Sequence, residues 1–308
     1  RRIAGIRKQI ASELGFIIPA LRVTDNLALR AREYAISLKG IEIARFEMPP
    51  GCELAIALTA TERPPDGRPT RDPAFGVPAW WIPSSQAEKV RAMGYTVIDP
   101  LSVMSTHLAE LIKRIAHELF SRQEAKKLLD RLSADNAKVV EDLVPKLLPL
   151  ATLQRVLQNL LRERVSIRDS ASILEALGEA APSTRNPVLL TDYVRQSIRR
   201  AVVKPYLNAA GELSAWFLDQ QVERFVESGI EQGESNSSLA LAPAALRDLL
   251  DRFSRSVGAL ESPTVVITSS SCRYFLRQAV EATLVNLFFL AHSEIPAGIK
   301  VNSLGVIQ

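Results

Sequence analysis

Three histidines and two cysteines carry the most reactive side chains of this sequence, and their spacing decides what chemistry is open to them. His117-Glu118 begins like the helix of a zinc protease, in which a second histidine four residues on completes the metal pair, but that position is Ser121. His107 and His117, on one predicted helix, project in different directions and cannot converge on one ion. His292 stands alone, so no metal is expected. Cys272 with His292 is the pair that could act as nucleophile and base, and a hydrolase built on it is one alternative, although no orienting third group accompanies it. Cys52 and Cys272 lie far apart without a CxxC, which predicts two reduced structural thiols rather than a disulfide framework or a zinc site. The phosphate loop GxxxxGK[ST], the dinucleotide fingerprint GxGxxG and the nucleophile elbow GxSxG are all missing, and no cofactor is expected.

The elements that would position these residues form a mixed chain. At 308 residues and 47% hydrophobic content the protein is predicted to be globular with two or more domains. A helix is predicted over Ile3–Leu14, then a hairpin of strands Tyr34–Leu38 and Ile41–Phe46 around Lys39-Gly40, and a strand at Glu53–Leu58. Thr61–Thr70 holds too much Pro and Gly for regular structure and reads as an exposed loop. Pro73–Pro83 reads as a turn region, followed by a helix over Ser84–Met93 and a strand at Tyr95–Ile98. Asp99-Pro100 then offers an N-cap acceptor with Pro at the first helical position. The helix it starts carries one stripe of Leu101, Met104, Leu108, Leu111, Ile112, Ile115 and Leu119, with Val103 and Thr106 on a different face.

Ser121–Lys204 is helical in period throughout, with Asp169 placed to cap the helix over Ser170–Leu177. Beyond it, helices are predicted at Asp219–Glu227 and Pro243–Val257. Val265–Ile267, a helix over Cys272–Leu284, and Leu287–Leu290 follow as a βαβ unit. Gly229–Ser238 is polar and reads as the flexible spot of the chain. No run reaches the roughly 20 apolar residues needed to span a bilayer, and the start on Arg1-Arg2-Ile3 reads as that of a fragment. Residues 205–308 hold 7 Lys and Arg against 11 Asp and Glu, so the net charge of +4 hides a basic first part and an acidic last part. Arg195, Arg199, Arg200 and Lys204 alternate with apolar residues at helical spacing, which predicts a solvated helix face and no nucleic-acid partner.

Asp72-Pro73-Ala74-Phe75-Gly76, Gly94–Asp99 and Thr106-His107-Leu108, continued by Ser121–Leu129, Leu157–Leu161, Ile167-Arg168-Asp169 and Ile173–Leu177, form an ordered series over nearly the whole chain. This series resembles the export-gate family of flagellar and type III secretion systems (FlhA/InvA type). The match is to its C-terminal cytoplasmic domain, and the FGVPAWWI run favours the flagellar branch over the virulence branch. The resemblance implies an α+β multidomain fold of four subdomains. The first is discontinuous (1–50 plus 100–120), a small α/β insertion (51–99) sits within it, the third is helical (121–203) and the fourth α/β (204–308). It also implies a missing membrane half, a place on the cytoplasmic face of the bacterial inner membrane, a nine-membered ring, and no enzymatic activity. Implied partners are export chaperones with bound substrates, the export ATPase complex and other gate membrane proteins.

By motif, the chaperone-receiving dimple of that family falls on Asp72, Phe75 and Thr106. Phe75, Trp80, Trp81, Ile82, Tyr95 and Ile98 surround a turn too short to bury them all, so they either pack the small subdomain onto the long helix or meet a partner. Val103 and Thr106 are expected to line a groove facing Phe75 and Ile98, and Tyr95 is taken as a further binding residue. Asp72 either offers a carboxylate at its polar edge or caps the Pro73–Gly76 turn.

Overall fold

The computed structural model describes residues 2–57, 62–258 and 262–308. It divides into two compact units, Arg1–Ile10 with Pro19–Ile115 and Ala11–Ile18 with Ala116–Gln308, and α1 (Arg2–Leu14) supplies residues to both. The end of the strand predicted at Leu58 and the start of the loop at Thr61 lie outside the described residues.

In the first unit, β1 (Glu33–Leu38) and β2 (Ile41–Glu47) form the predicted antiparallel hairpin. Lys39 and Gly40 both take left-handed backbone, φ 50° and 85°, the geometry whose twist matches that of the flanking strands. Four antiparallel strands follow: β3 (Cys52–Ala57), β4 (Arg68–Arg71), β5 (Pro78–Pro83) and β6 (Tyr95–Ile98), in the order β4-β5-β3-β6. Two of these correct the sequence reading. Arg68–Arg71, expected to be irregular, is a strand at the sheet edge, where a proline costs no ladder hydrogen bond on its open side. Pro78–Pro83, expected as turn, is a strand, so Trp80 and Trp81 project to opposite faces. The sheet therefore has two apolar sides. Leu54, Ala79 and Trp81 pack with Val103 on one, and Ala55, Ile82 and Tyr95 pack with Val90 on the other.

Val90 belongs to α2 (Ala87–Ala92) and Val103 to α3 (Pro100–Arg114), which Asp99 caps by accepting from Ser102 N at 3.0 Å. The stripe expected on α3 is displaced. Val103, His107, Leu111 and Ile112 are its buried residues, while Leu101 is 53% exposed. Both faces carry apolar residues at helical spacing, and contact with the sheet selects the one through Val103. The helix also ends at Ile115 instead of running to Leu119, and α4 (Ala116–Leu119) starts separately.

The second unit continues with α5 (Arg122–Leu143), bent at Asn136, α6 (Leu150–Arg162), α7 (Ser170–Ala180), α8 (Pro187–Ser197) and α9 (Arg199–Val203), the predicted helical stretch. Asp169 caps α7 as expected, accepting from Ser172 N at 3.2 Å. A four-stranded sheet follows, all parallel, made of β7 (Leu213–Leu218), β10 (Thr264–Thr268), β11 (Leu287–Ala291) and β12 (Val301–Ile307) in the order β11-β10-β7-β12. The predicted βαβ unit is β10, α12 (Ser270–Val280) and β11. Neither β7 nor β12 is anticipated by periodicity. Between them lie α10 (Gln220–Ser228), α11 (Pro243–Val257) and the hairpin β8 (Ile230–Gln232) with β9 (Ser237–Leu239), which replaces the flexible loop expected there.

Charge placement also departs from expectation. Arg195, expected on a solvated face, is 2% exposed and donates to Glu294 and to Glu163 Oε2 at 3.1 Å, while Arg273, fully buried, bonds Asp192 and the same Glu163. The arginines stay ionised because carboxylates from α8 and from the residues after α6 and β11 surround them. Arg199, Arg200 and Lys204 are exposed, as expected.

Candidate docking site

The turn from Asp72 to Val77 is built by the Asp72 side chain. Its Oδ2 accepts from Ala74 N at 3.0 Å and from Phe75 N at 2.7 Å, and its backbone closes the turn with Gly76 N and Val77 O at 2.8 and 2.9 Å. Gly76 sits at φ 72°, a conformation that a side chain disfavours. Arg71 Nη1 ties the turn from outside by donating to Gly76 O at 2.8 Å. Of the two readings of Asp72, the structure has the cap: the residue is 4% exposed. The product of this construction is Phe75, held at the tip with 51% of its surface open to solvent.

The other expected residues separate into surface and support. Thr106 is exposed on α3. Ile98 is half-buried against the Leu54, Ala79 and Trp81 cluster. Val103 is buried in that cluster and is not a groove wall. Tyr95 is also buried, on the opposite sheet face from Ile98, because three residues along a strand reverse the direction of the side chain. Its ring meets Trp80 edge-on at 5.9 Å and its hydroxyl donates to Glu62 O at 2.6 Å. Tyr95 and Ile98 therefore do not share a groove.

Two residues that sequence reasoning did not assign to the site feel the charge of Asp72. Tyr34 Oη and His107 Nδ1 are 2.7 Å apart, and both rings pack against Phe46, at 6.3 Å each. Burial, with the Arg114 charge adding to it, keeps the imidazole below its ordinary range, and the Asp72 charge pulls the other way. Burial and the same Asp72 charge push the Tyr34 phenol far up. Which of the two atoms donates is set by the tautomer of the imidazole. Asp72 is itself pushed above the usual carboxylate range by burial, against its two amide hydrogen bonds. Alternation of Tyr34 and Phe46 across the hairpin was the available signal; only the fold brings His107 to them.

The Cys272 thiol donates to Glu223 O at 3.4 Å, and burial pushes it up to about 11, so it is not a thiolate at neutral pH. His292 is exposed and stacks on Phe217, with ring centroids 6.3 Å apart. A cleft of about 710 Å³ between α10 and α11 is lined by Val222, Phe225 and Leu249, and of its carboxylates Asp248 is paired with Arg252 and Asp219 caps α10 by accepting from Gln221 N.

The fold is that of the C-terminal domains of type III secretion export gates. It is similar to Chlamydia pneumoniae CdsV, with a TM-score of 0.86 at 25% identity over 99% of this chain and 90% of that one. CdsV solved together with CdsO gives 0.89 at 24% identity, over 100% of this chain and 90% of that one. The nonameric EPEC SctV-C gives 0.82 at 20%, over 99% and 93%. The chain belongs to the FHIPEP family, which matches residues 1–300. Among curated relatives, the flagellar biosynthesis protein FlhA of Bacillus subtilis is 34% identical over 310 residues, covering 100% of this chain and 46% of that protein. The chain thus spans less than half the length of that relative. Among the described residues no helix is long and apolar enough to cross a membrane.

Proposed function

We propose that this chain is the docking platform of a flagellar protein-export gate, which receives export chaperones with bound substrates at the cytoplasmic face of the bacterial inner membrane and orders their delivery to the membrane channel. The observation that carries this reading is Phe75, a half-exposed aromatic fixed at the tip of a built turn, with exposed Thr106 on the helix next to it in the family's motif. A large apolar side chain held rigidly in solvent costs little to bury on binding and is the kind of anchor that dominates an interface. Asp72, Ile98, Val103 and Tyr95 serve it from beneath, by holding the turn and the sheet that carries it. The FlhA-named relative favours the flagellar system. The same role in a virulence gate is the alternative, separated by which chaperones bind.

The family's nine-membered ring, its contacts with the export ATPase complex and with other gate membrane proteins, and its four-subdomain division belong to the same reading. The nonameric SctV-C and the CdsV–CdsO complex support self-association and a protein partner. Calorimetric titration of this chain with a flagellin-chaperone complex tests it. Binding is expected, and Phe75→Ala is expected to weaken it at least tenfold with an unchanged melting temperature. A folded Phe75→Ala chain that binds as well as the parent would move the site elsewhere.

A further inference from the structure

We propose that the cleft between α8, α12 and the β8–β9 hairpin is a recognition site for a protein partner, and that it takes the ammonium or guanidinium group of one lysine or arginine side chain. The site lies within the second unit and does not depend on the role of Phe75.

The cleft is lined by a carboxylate of which the protein itself uses one oxygen. Arg273 donates to Asp192 Oδ1 twice, from Nη2 at 2.6 Å and from Nε at 3.1 Å. Asp192 Oδ2 accepts from no group among the described residues. The count of charges agrees. Among the described residues, the ion-paired cluster around Asp192 holds three carboxylates, Glu163, Asp192 and Glu294, against two guanidiniums, Arg195 and Arg273. Arg277, buried nearby, gives its hydrogen bonds to the backbone oxygens of Val285 and Leu287 and to no carboxylate. One negative charge of the cluster is left over, and Asp192, with 15% of its side chain open, is the member that reaches the surface. Burial raises its carboxyl above the usual range and the Arg273 charge pulls it back. A second cation at Oδ2 adds to that pull.

The other lining residues decide the kind of ligand. Tyr193, Gln196 and Gln232 line the cleft with Asp192, and their side chains make no hydrogen bond among the described residues. Each offers an oxygen that can accept. The Ser271 hydroxyl, also on the lining, donates to the exposed Glu227, which brings a second carboxylate to the rim. No Lys or Arg lines the cleft among the described residues. Acceptors gathered around a carboxylate fit a cationic group that only donates, which describes ammonium and guanidinium. Size selects a side chain over a free molecule. The cleft holds about 250 Å³, less than the roughly 300–1,000 Å³ of a small-molecule pocket. Reaching a carboxylate this deep takes a long flexible stem, as in lysine and arginine. The half-exposed Tyr193 ring adds a face on which a cation can rest.

NMR titration of the chain labelled with ¹⁵N-glutamine and ¹³C-tyrosine tests the site. The probes are Nα-acetyl-lysine amide and Nα-acetyl-arginine amide, with Nα-acetyl-norleucine amide as the uncharged control. Both charged probes are expected to shift the Gln196 and Gln232 side-chain amides and the Tyr193 ring saturably, and norleucine to bind at least tenfold more weakly. Two variants, checked for folding by melting, are expected to weaken lysine binding at least fivefold. Asp192→Asn removes the charge and keeps an oxygen for Arg273. Gln232→Lys leaves the Arg273 pair intact and puts a cation on the lining, so it decides by itself should Asp192→Asn fail to fold. The proposal is overturned by charged probes that leave these signals unmoved, by norleucine binding as tightly as lysine, or by a folded variant that binds like the parent. Spermidine binding more than a hundredfold tighter than either charged amide would make the occupant a free polyamine and overturn the assignment to a protein.

Discussion

Phe75 and Asp72, three residues apart, have complementary roles, since the aromatic ring meets solvent and the carboxylate holds the backbone under it. Removing the ring should therefore leave stability within about 0.5 kcal/mol, since the side chain is half exposed, and affect binding alone. Removing the carboxylate is a folding change. Asp72→Ala is expected to cost about 1–2 kcal/mol in urea unfolding, the usual loss for a side-chain cap, whereas Asp72→Asn, which still accepts from Ala74 and Phe75, should cost much less. His107 sits lower than its ordinary 6.5 in the folded chain, so its contribution to stability is complete above that value and fades as pH falls through the folded one. The difference in melting temperature between the parent and His107→Gln should therefore change only on the acid side. Cys272 behaves oppositely at high pH. With a thiol raised from 9.0 to about 11, its contribution is complete below 9 and is lost between 9 and 11. Its modification by a thiol reagent at pH 8 should require unfolding.

Among the elements, how segments end matters as much as how they begin. The chain leaves α1 through Gly15 at φ 90°, and a Cβ there would lie 2.4 Å from Arg168 N and 2.5 Å from its Cα. Because the obstacle is backbone and not a flexible side-chain tip, Gly15→Ala has no easy relaxation. The expected loss is about 2–4 kcal/mol, combining a strained backbone with overpacking, and chemical denaturation would measure it. A substitution tolerated at less than about 0.5 kcal/mol would mean that the 167–168 segment can move.

Across the whole second unit, the helices of residues 121–203 are tied to the sheet region after residue 204 by buried charge. Arg195 and Arg273 share Glu163 and each binds a further carboxylate, Glu294 and Asp192. Arg162 with Glu281 adds a half-buried pair, and Asn186 Nδ2 donates to Gly233 O and Ser237 Oγ at 2.9 and 2.7 Å. Such a network fixes register more than it adds net stability, but breaking one partner strands a buried charge. Glu294→Gln should cost about 3–5 kcal/mol in unfolding free energy. Raising the salt concentration should recover little of it, because solvent ions do not reach the site. A loss below about 1 kcal/mol would show that Glu163 alone suffices as the partner of Arg195.

Features that depend on neighbours along the chain were legible from the residues alone. Asp99-Pro100 and Asp169 start their helices, Lys39-Gly40 closes its hairpin, and the helical period of residues 121–203 is regular, because caps, turns and periodicity are local. The βαβ unit was readable for the same reason, and the ordered motifs carried the family. The remainder had to wait for distant segments to meet. Trp80 and Trp81, or Tyr95 and Ile98, go to opposite sides only once β5 and β6 enter a sheet. α3 turns Val103 and His107 inward although its other face is also apolar, since the sheet chooses. β7 and β12 pair with each other across more than eighty intervening residues, so no local pattern marks them. Arg195 looks solvated until two other segments bring it carboxylates, and His107 looks idle until a hairpin brings it Tyr34.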